Sequence, residues 1–460
     1  MKPLVVMEAP GLTRAMVQAH APGLAGLGRD GHLGALNPIL PAVTMPVHST
    51  LMTGALPSQH GVVGNGWFVR AQNEVRMWQQ SERLVQGERV WEAGKKRNSE
   101  FRCLKYFWWP GMASTADVSG NVRPIYHADG RKGPDIYMNR SGLAEEVQSR
   151  FGTFPLFKFW GPGVDITSSR WISETSRYLF DKDQPTLSLI YLPHLDYRQQ
   201  THGPNHESIA EEVKNLDELM TSLIDHFRSA GAEILVLSGY HMNQVDTPIH
   251  LNRSLREQGW LKVVRNAAGE LIDYGTSQAF AVVDHQVAHV YVQDERIQPA
   301  VRDHLESVEG IDSVLEGEAL SEVGLAHQNS GEFVAVAKPN AWFTYYYWQD
   351  DDAAPDFART VAIHDKPGYD PCEMFVDPRI PFPGLKLGWL LAKKALGFRY
   401  TMNVIPLDAS LVRGSHGLKP KDENSAPVFI ASRSMDEMSD RVPMIDVKKI
   451  MLKMIFDPDS

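Results

Sequence analysis

The sequence predicts an α/β sandwich with one central, mostly parallel sheet and helices on both faces. Three observations carry this expectation. Strand-like and helix-like segments alternate through much of the chain. The clearest strands, 186–192 (TLSLIYL) and 233–237 (EILVL), are short unbroken apolar runs of the kind buried on both faces of a parallel sheet. Short polar clusters follow directly after such strands, where open α/β sheets place their ligand sites.

Taken in order, residues 3–7 read as a buried first strand, followed by Gly11 and a helix over 12–19. Between the two clear strands lies 207–228, whose apolar residues recur at helical spacing and whose acidic residues fall early. Strand, helix and strand form a βαβ unit. Residues 278–292 read as one or two strands, and 331–337 as another. The aromatic run 341–348 (AWFTYYYW) favours strand, with sheet packing the more common reading than a ligand platform. The acidic run 349–355 (QDDDAAP) reads as a solvated loop, the more common state of such a run than a cation site. No internal repeat or low-complexity linker interrupts the chain.

Composition narrows the function classes. Lys+Arg number 46 against Asp+Glu 56, a net charge of −10, which argues against a nucleic-acid coat or polybasic membrane binding. Local basic patches remain compatible with it. Hydrophobic residues at 43% suffice for a large core. Cys103 and Cys372 are too few for a disulfide framework and form no CxxC pair. The apolar run before Glu8 is too short for a signal peptide or for the roughly 20 residues that span a bilayer, so the expected location is cytoplasmic, with no membrane span.

Four polar clusters could carry chemistry: Glu8 after the first strand; 41–54 (PAVTMPVHSTLMTG); 193–204, offering Asp196 and His202; and 238–242 (SGYHM). Carboxylates and imidazoles at strand ends are the ligand set of divalent transition metals, and a hydroxyl at a helix N-terminus beside them is a candidate nucleophile. Singly, each signal is weak. A lone Thr before a helix is more often an N-cap, and a lone Asp after a strand more often a turn residue.

Their order is what resembles a family. Val43-Thr44-Met45-Pro46-Val47-His48, then Leu51-Met52-Thr53-Gly54, Pro57, His60-Gly61 and Asn65, is similar to the nucleophile stretch of the type I phosphodiesterase/nucleotide pyrophosphatase branch of the alkaline phosphatase superfamily. Gly414-Ser415-His416-Gly417 resembles that family's late metal-ligand motif, and Asp196 also matches. The resemblance implies an alkaline-phosphatase-like sandwich over 1–460, one enlarged domain with lid or pocket insertions near 70–185 and 260–400. It implies metal-dependent hydrolysis of a phosphodiester or nucleotide pyrophosphate bond of a small-molecule phosphate ester. Thr44 would attack phosphorus to give a covalent phospho-enzyme, Asn65 and the Thr44 N–H would hold a phosphoryl oxygen, and two divalent ions, usually zinc, would flank the group. Glu8 falls at the first ion, Asp196 and His416 at the second.

The departures are equally specific. Where the family has a second-site His the chain has Gln200, with His202 the nearest imidazole. Where the family has Asp and His after its strand, the chain has Gly239 and Tyr240. Either substitutes fill the metal sites, His364 and Asp370 being the candidates in 363–371 (IHDKPGYDP), or one or both ions are gone. Arg413 and Lys366 are the candidate phosphate-neutralising cations. His285 and His289 share a face of a strand, structural roles being the more common reading, with Asp284 and His285 at a turn the better functional candidates. His48 and His60 are expected to orient loops. Trp67, Phe68, Trp108 and Trp109 would stack on a flat leaving group or pack in the core. Two alternatives stay open: a phosphonate hydrolase or phosphomutase-like phosphotransferase on the same nucleophile, and a metal-poor binding protein without turnover.

Overall fold

The computed structural model describes residues 1–128, 132–398, 401–435 and 438–457. Thirteen strands form its two main sheets: β1 (Leu4–Glu8), β2 (His32–Asn37), β3 (Cys103–Tyr106), β4 (Val118–Val122), β5 (Ile136–Met138), β6 (Leu187–Tyr191), β7 (Glu233–Leu237), β8 (Ala279–Asp284), β9 (Val287–Val292), β10 (Ile311–Leu315), β11 (Phe333–Ala337), β12 (Val428–Ala431) and β13 (Arg441–Pro443). Nine of them make the central sheet, in the order β13-β2-β12-β7-β1-β6-β3-β4-β5. β12 runs antiparallel to both its neighbours and β5 antiparallel to β4; the other pairings are parallel.

Every residue of β1 and β6 is buried, as an uninterrupted apolar strand in the middle of a covered sheet must be. Helices cover the sheet in two layers. Arg14–His20, Pro22–Asp30, Thr167–Asp183 and Ile209–Ser229 pack on one another in the first; Thr44–Thr53, Val90–Arg97 and Val447–Phe456 form the second. The helix Ile209–Ser229 links β6 to β7 as expected, presenting Val213, Leu216, Met220, Leu223 and Phe227 inward at helical spacing.

β8, β9, β11 and β10 form a second, antiparallel sheet with a core of its own, into which Phe68, Trp342 and Tyr345 to Trp348 are packed. β8 and β9 pair from Ala279↔Val292 down to Asp284↔Val287, so only His285 and Gln286 make the turn. His285 takes φ 59°, the left-handed conformation that such a two-residue hairpin requires. That turn points its residues at the edge of the central sheet.

Candidate active site

β1 lies between β6 and β7, with Glu8 level with Tyr191 on one side and Leu237 on the other. The chain leaves all three strands at one edge, and the polar clusters meet there. Glu8 ends β1. Helix His194–His202 begins just after β6 and carries Asp196 and Gln200 one turn apart on the same face. The segment after β7 brings Gly239 and Tyr240.

Thr44 opens the helix Thr44–Thr53, which has Pro46 in its first turn, where a missing N–H costs nothing, and ends on Gly54 at φ 69°. Val43, before it, has no capping side chain. The cap comes instead from Asn65, whose Oδ1 accepts the Met45 N–H at 2.9 Å. Asn65 is itself clamped by Asp284: its backbone N–H reaches Oδ2 at 2.6 Å and its Nδ2 donates to Oδ1 at 3.0 Å. One amide hydrogen of Asn65 is therefore committed to the second sheet.

The Thr44 hydroxyl is 3.2 Å from the Tyr240 hydroxyl. Tyr240 also lies against the Asp196 carboxylate, which takes both its oxygens to Gln200 Nε2 at 3.2 Å. Gln200 Oε1 accepts the Tyr369 hydroxyl at 2.8 Å. Four rings stand in one column: Tyr240 on His416 at 3.7 Å, His416 on His285 at 3.6 Å, His285 on Tyr369 at 3.7 Å. Both ends of the column return to Asp196, Tyr240 directly and Tyr369 through Gln200.

Burial sets the electrostatics. Asp196 is pushed up to about 7 by desolvation, against the lowering effect of Gln200 and Tyr240. Asp284 is likewise raised to about 7 by desolvation against its two bonds from Asn65. Burial raises Glu8 well above the ordinary carboxylate value, opposed by the Gly239 N–H. His416 falls to about 3 by desolvation and is neutral. Its Nδ1 donates to the Ala42 carbonyl at 2.8 Å, so the lone pair of Nε2 faces Asp196 Oδ1, 3.8 Å away. His48, lowered by burial, accepts the Trp109 N–H on Nδ1 at 2.9 Å, which leaves Nε2–H for Glu8 at 3.5 Å.

The two-ion ligand set that the resemblance implies does not fit these residues. Among the described residues no group of three or more His, Cys, Asp or Glu is arranged to hold a metal ion. At the first position, the Glu8 carboxylate lies over Gly239: it accepts that N–H at 2.8 Å, and a Cβ on residue 239 would stand 3.0 Å from Oε1. Glu8 thus fills the space of a side chain at 239 rather than adding to one. At the second, the Gln200 amide donates to Asp196 where an imidazole lone pair would face a cation. Asp196 and His416 remain as a two-donor remnant.

Of the sequence candidates, Glu8, Thr44, Asn65, Asp196 and His416 converge here. His202 bonds Thr201 and the Arg198 carbonyl within its own helix, and Arg413 is exposed. His364 Nδ1 donates to the Met77 carbonyl at 3.2 Å. Lys366 is buried between Asp370 and Glu373, 2.7 Å from each, so its charge is spent on a local ion cluster. The residue of that segment that reaches the site is Tyr369. His289 has Val63 and Gly331 as partners, a satisfied structural role. Trp67, Phe68, Trp108 and Trp109 are core residues, Trp108 stacked on His48.

A mostly parallel sheet covered by helices on both faces, with a hydroxyl at a helix N-terminus and acidic residues at the strand ends, defines an alkaline-phosphatase-like α/β sandwich. Solved structures agree: a phosphonoacetate hydrolase from Sinorhizobium meliloti bound to phosphonoformate superposes with a TM-score of 0.63 at 14% identity, covering 99% of this chain and 96% of that one. Murine ectonucleotide pyrophosphatase/phosphodiesterase 5 gives 0.59 at 14% identity, covering 99% and 95%.

The type I phosphodiesterase / nucleotide pyrophosphatase family model matches residues 4–370, and the chain belongs to that family. The rat ectonucleotide pyrophosphatase/phosphodiesterase family member 1 is 22% identical over 246 residues, 51% of this chain and 23% of that protein. An uncharacterised pyrophosphatase/phosphodiesterase of Schizosaccharomyces pombe is 25% identical over 238 residues, 49% and 42%. The chain thus matches less than half the length of these relatives. Among the described residues no helix is long and apolar enough to cross a membrane.

Proposed function

We propose that the chain hydrolyses a small-molecule phosphodiester or phosphonate through Thr44, with Tyr240 and Asp196 as a proton relay. The observation that carries this reading is the contact of Thr44 with Tyr240, beside an Asp196 held at about 7. A base poised near neutrality is the kind that general-base catalysis favours.

Thr44 Oγ1 attacks phosphorus; its proton passes to the Tyr240 oxygen as the Tyr240 proton passes to Asp196. The leaving group departs as an anion, which favours acidic leaving groups. A water oxygen then bonds phosphorus as the Thr44 Oγ1–P bond breaks; the proton that water loses passes to solvent, where it offsets the anionic leaving group, and Asp196 returns its proton through Tyr240 to Thr44 Oγ1. At the start of the helix Thr44–Thr53 the Thr44 N–H is left for the phosphoryl charge, since Asn65 takes that of Met45, Pro46 has none and the Val43 carbonyl takes that of Val47. Thr44 is 5% exposed, so the substrate enters only as the surrounding side chains part. Residues 260–400, with the β8–β9 turn, act in this reading as the cap over the site.

The test uses bis(4-nitrophenyl) phosphate, 4-nitrophenyl phosphate and phosphonoacetate, with metal analysis of the same protein. Thr44→Ala should abolish turnover. Tyr240→Phe should lower it about 100-fold, within the range for loss of a proton-transfer group. The native rate should rise with pH through about 7, as Asp196 ionises. Turnover unchanged in Thr44→Ala refutes the proposal.

The replacement of expected donors by Gly239, Tyr240 and Gln200 favours a second reading, a phosphate-ester binding protein without turnover. It is distinguished by calorimetric binding of the diester with no release of nitrophenol.

A further inference from the structure

Asp377 and Val404 meet where the Asp377 N–H donates to the Val404 carbonyl at 2.7 Å, and of the excursion between them Ile380, Leu390 and Met402 pack on the second core. The excursion contains the helix Pro383–Ala395, and Lys386 Nζ ties it to the Asn403 carbonyl at 2.9 Å. Leu390 turns inward and is buried. Phe382, Leu385, Trp389, Leu396 and Phe398 do not: at 61–76% exposed, they are the five most exposed large apolar side chains among the described residues.

The same stretch is basic. Residues 378–407 hold Arg379, Lys386, Lys393, Lys394 and Arg399 and no acidic residue, in a chain of net charge −10. Arg379 is paired with Asp377. Lys393 lies over the Trp389 ring at 5.4 Å, one turn away. The overall charge, which argues against polybasic membrane binding, averages this stretch away.

We propose that this helix is an interfacial anchor that lies on a bilayer containing anionic lipid. Exposed Trp, Phe and Leu beside lysines is the composition of helices that rest at the headgroup boundary, apolar groups sunk and ammonium groups at the phosphates. Its 13 residues span about 20 Å, short of the roughly 30 Å hydrocarbon core, so it lies on the membrane rather than crossing it. The excess of acid elsewhere on the chain turns the body of the protein away from the same surface.

The full chain is sedimented with unilamellar vesicles of phosphatidylcholine and phosphatidylserine at 3:1, and with phosphatidylcholine alone, at low and high salt. Binding is expected to the anionic vesicles and to be at least about tenfold weaker on neutral vesicles or in 0.5 M salt. The double variant Leu385→Glu/Trp389→Glu should lose at least about tenfold in partitioning at an unchanged melting temperature, both side chains being exposed. Failure of the native protein to bind, or equal binding by the double variant, overturns the proposal. So does a dimer of the native chain that the double variant dissociates while vesicle binding is absent, because the face would then belong to a second copy.

Discussion

Asp196 is held at about 7 in the folded protein against an ordinary 3.8, so the folded state keeps a proton that the unfolded chain releases. That contribution to stability is complete below about pH 3.8 and is lost as pH rises through about 7. Between pH 5.5 and 8.5 the loss covers about 1.5 pH units at about 1.4 kcal/mol each, about 2 kcal/mol. Asp196→Asn keeps the shape and removes the titration. Guanidinium unfolding of both proteins at the two pH values measures the effect. The buried histidines, whose lowered values destabilise the fold as pH falls below about 6.5, affect both proteins alike and cancel in the comparison. The expected result is a gain of about 2 kcal/mol in the variant, relative to native, on going from pH 5.5 to 8.5. Equal pH dependence in the two proteins would refute the raised Asp196, and with it the base that the relay requires.

Lys366→Met should destabilise the protein by about 3–5 kcal/mol in chemical denaturation, because it leaves Asp370 and Glu373 buried without their cation. Gly239→Ala should lower the melting temperature, at a cost of about 1–3 kcal/mol, since its Cβ would stand 2.5 Å from Val47 Cγ1 and 3.0 Å from Glu8 Oε1. Combining it with Glu8→Ala should cost less than the two changes summed, because the carboxylate occupies the contested space; strict additivity would count against that packing.

The central strands were legible because burial on both faces leaves an apolar run no other use: 233–237 and most of 186–192 appear as expected, as does the long helix between them. Short strands such as Ile136–Met138 and Arg441–Pro443 carry no such signal; their neighbours in the sheet, not their own composition, make them strands. The polar stretch after β6 gave no periodic apolar face, yet it is the helix that sets Gln200 against Asp196. In 341–348 only Ala341–Phe343 is strand; the following aromatics are buried as irregular chain, since side-chain bulk secures burial but not a pairing partner.

At the site, the residues legible as a linear pattern, Thr44, Asn65, Asp196 and His416, are those the structure gathers. Tyr369 was hidden by its neighbours. Lys366 and Asp370 look the more reactive pair, but they lie four residues apart and satisfy each other, whereas the Tyr369 hydroxyl finds Gln200 across 169 residues. Sequence spacing reveals the first kind of contact and not the second. Tyr240, conspicuous as a departure, is for the same reason unreadable as the partner of a threonine 196 residues earlier.

Asn65 caps the helix of Thr44 while held by Asp284 at the tip of the second sheet. The cap therefore depends on the antiparallel layer: where that layer lifts, Asn65 loses its clamp and the Met45 N–H its fixed acceptor. A local opening of the second sheet would loosen the start of that helix before the core of the central sheet is lost.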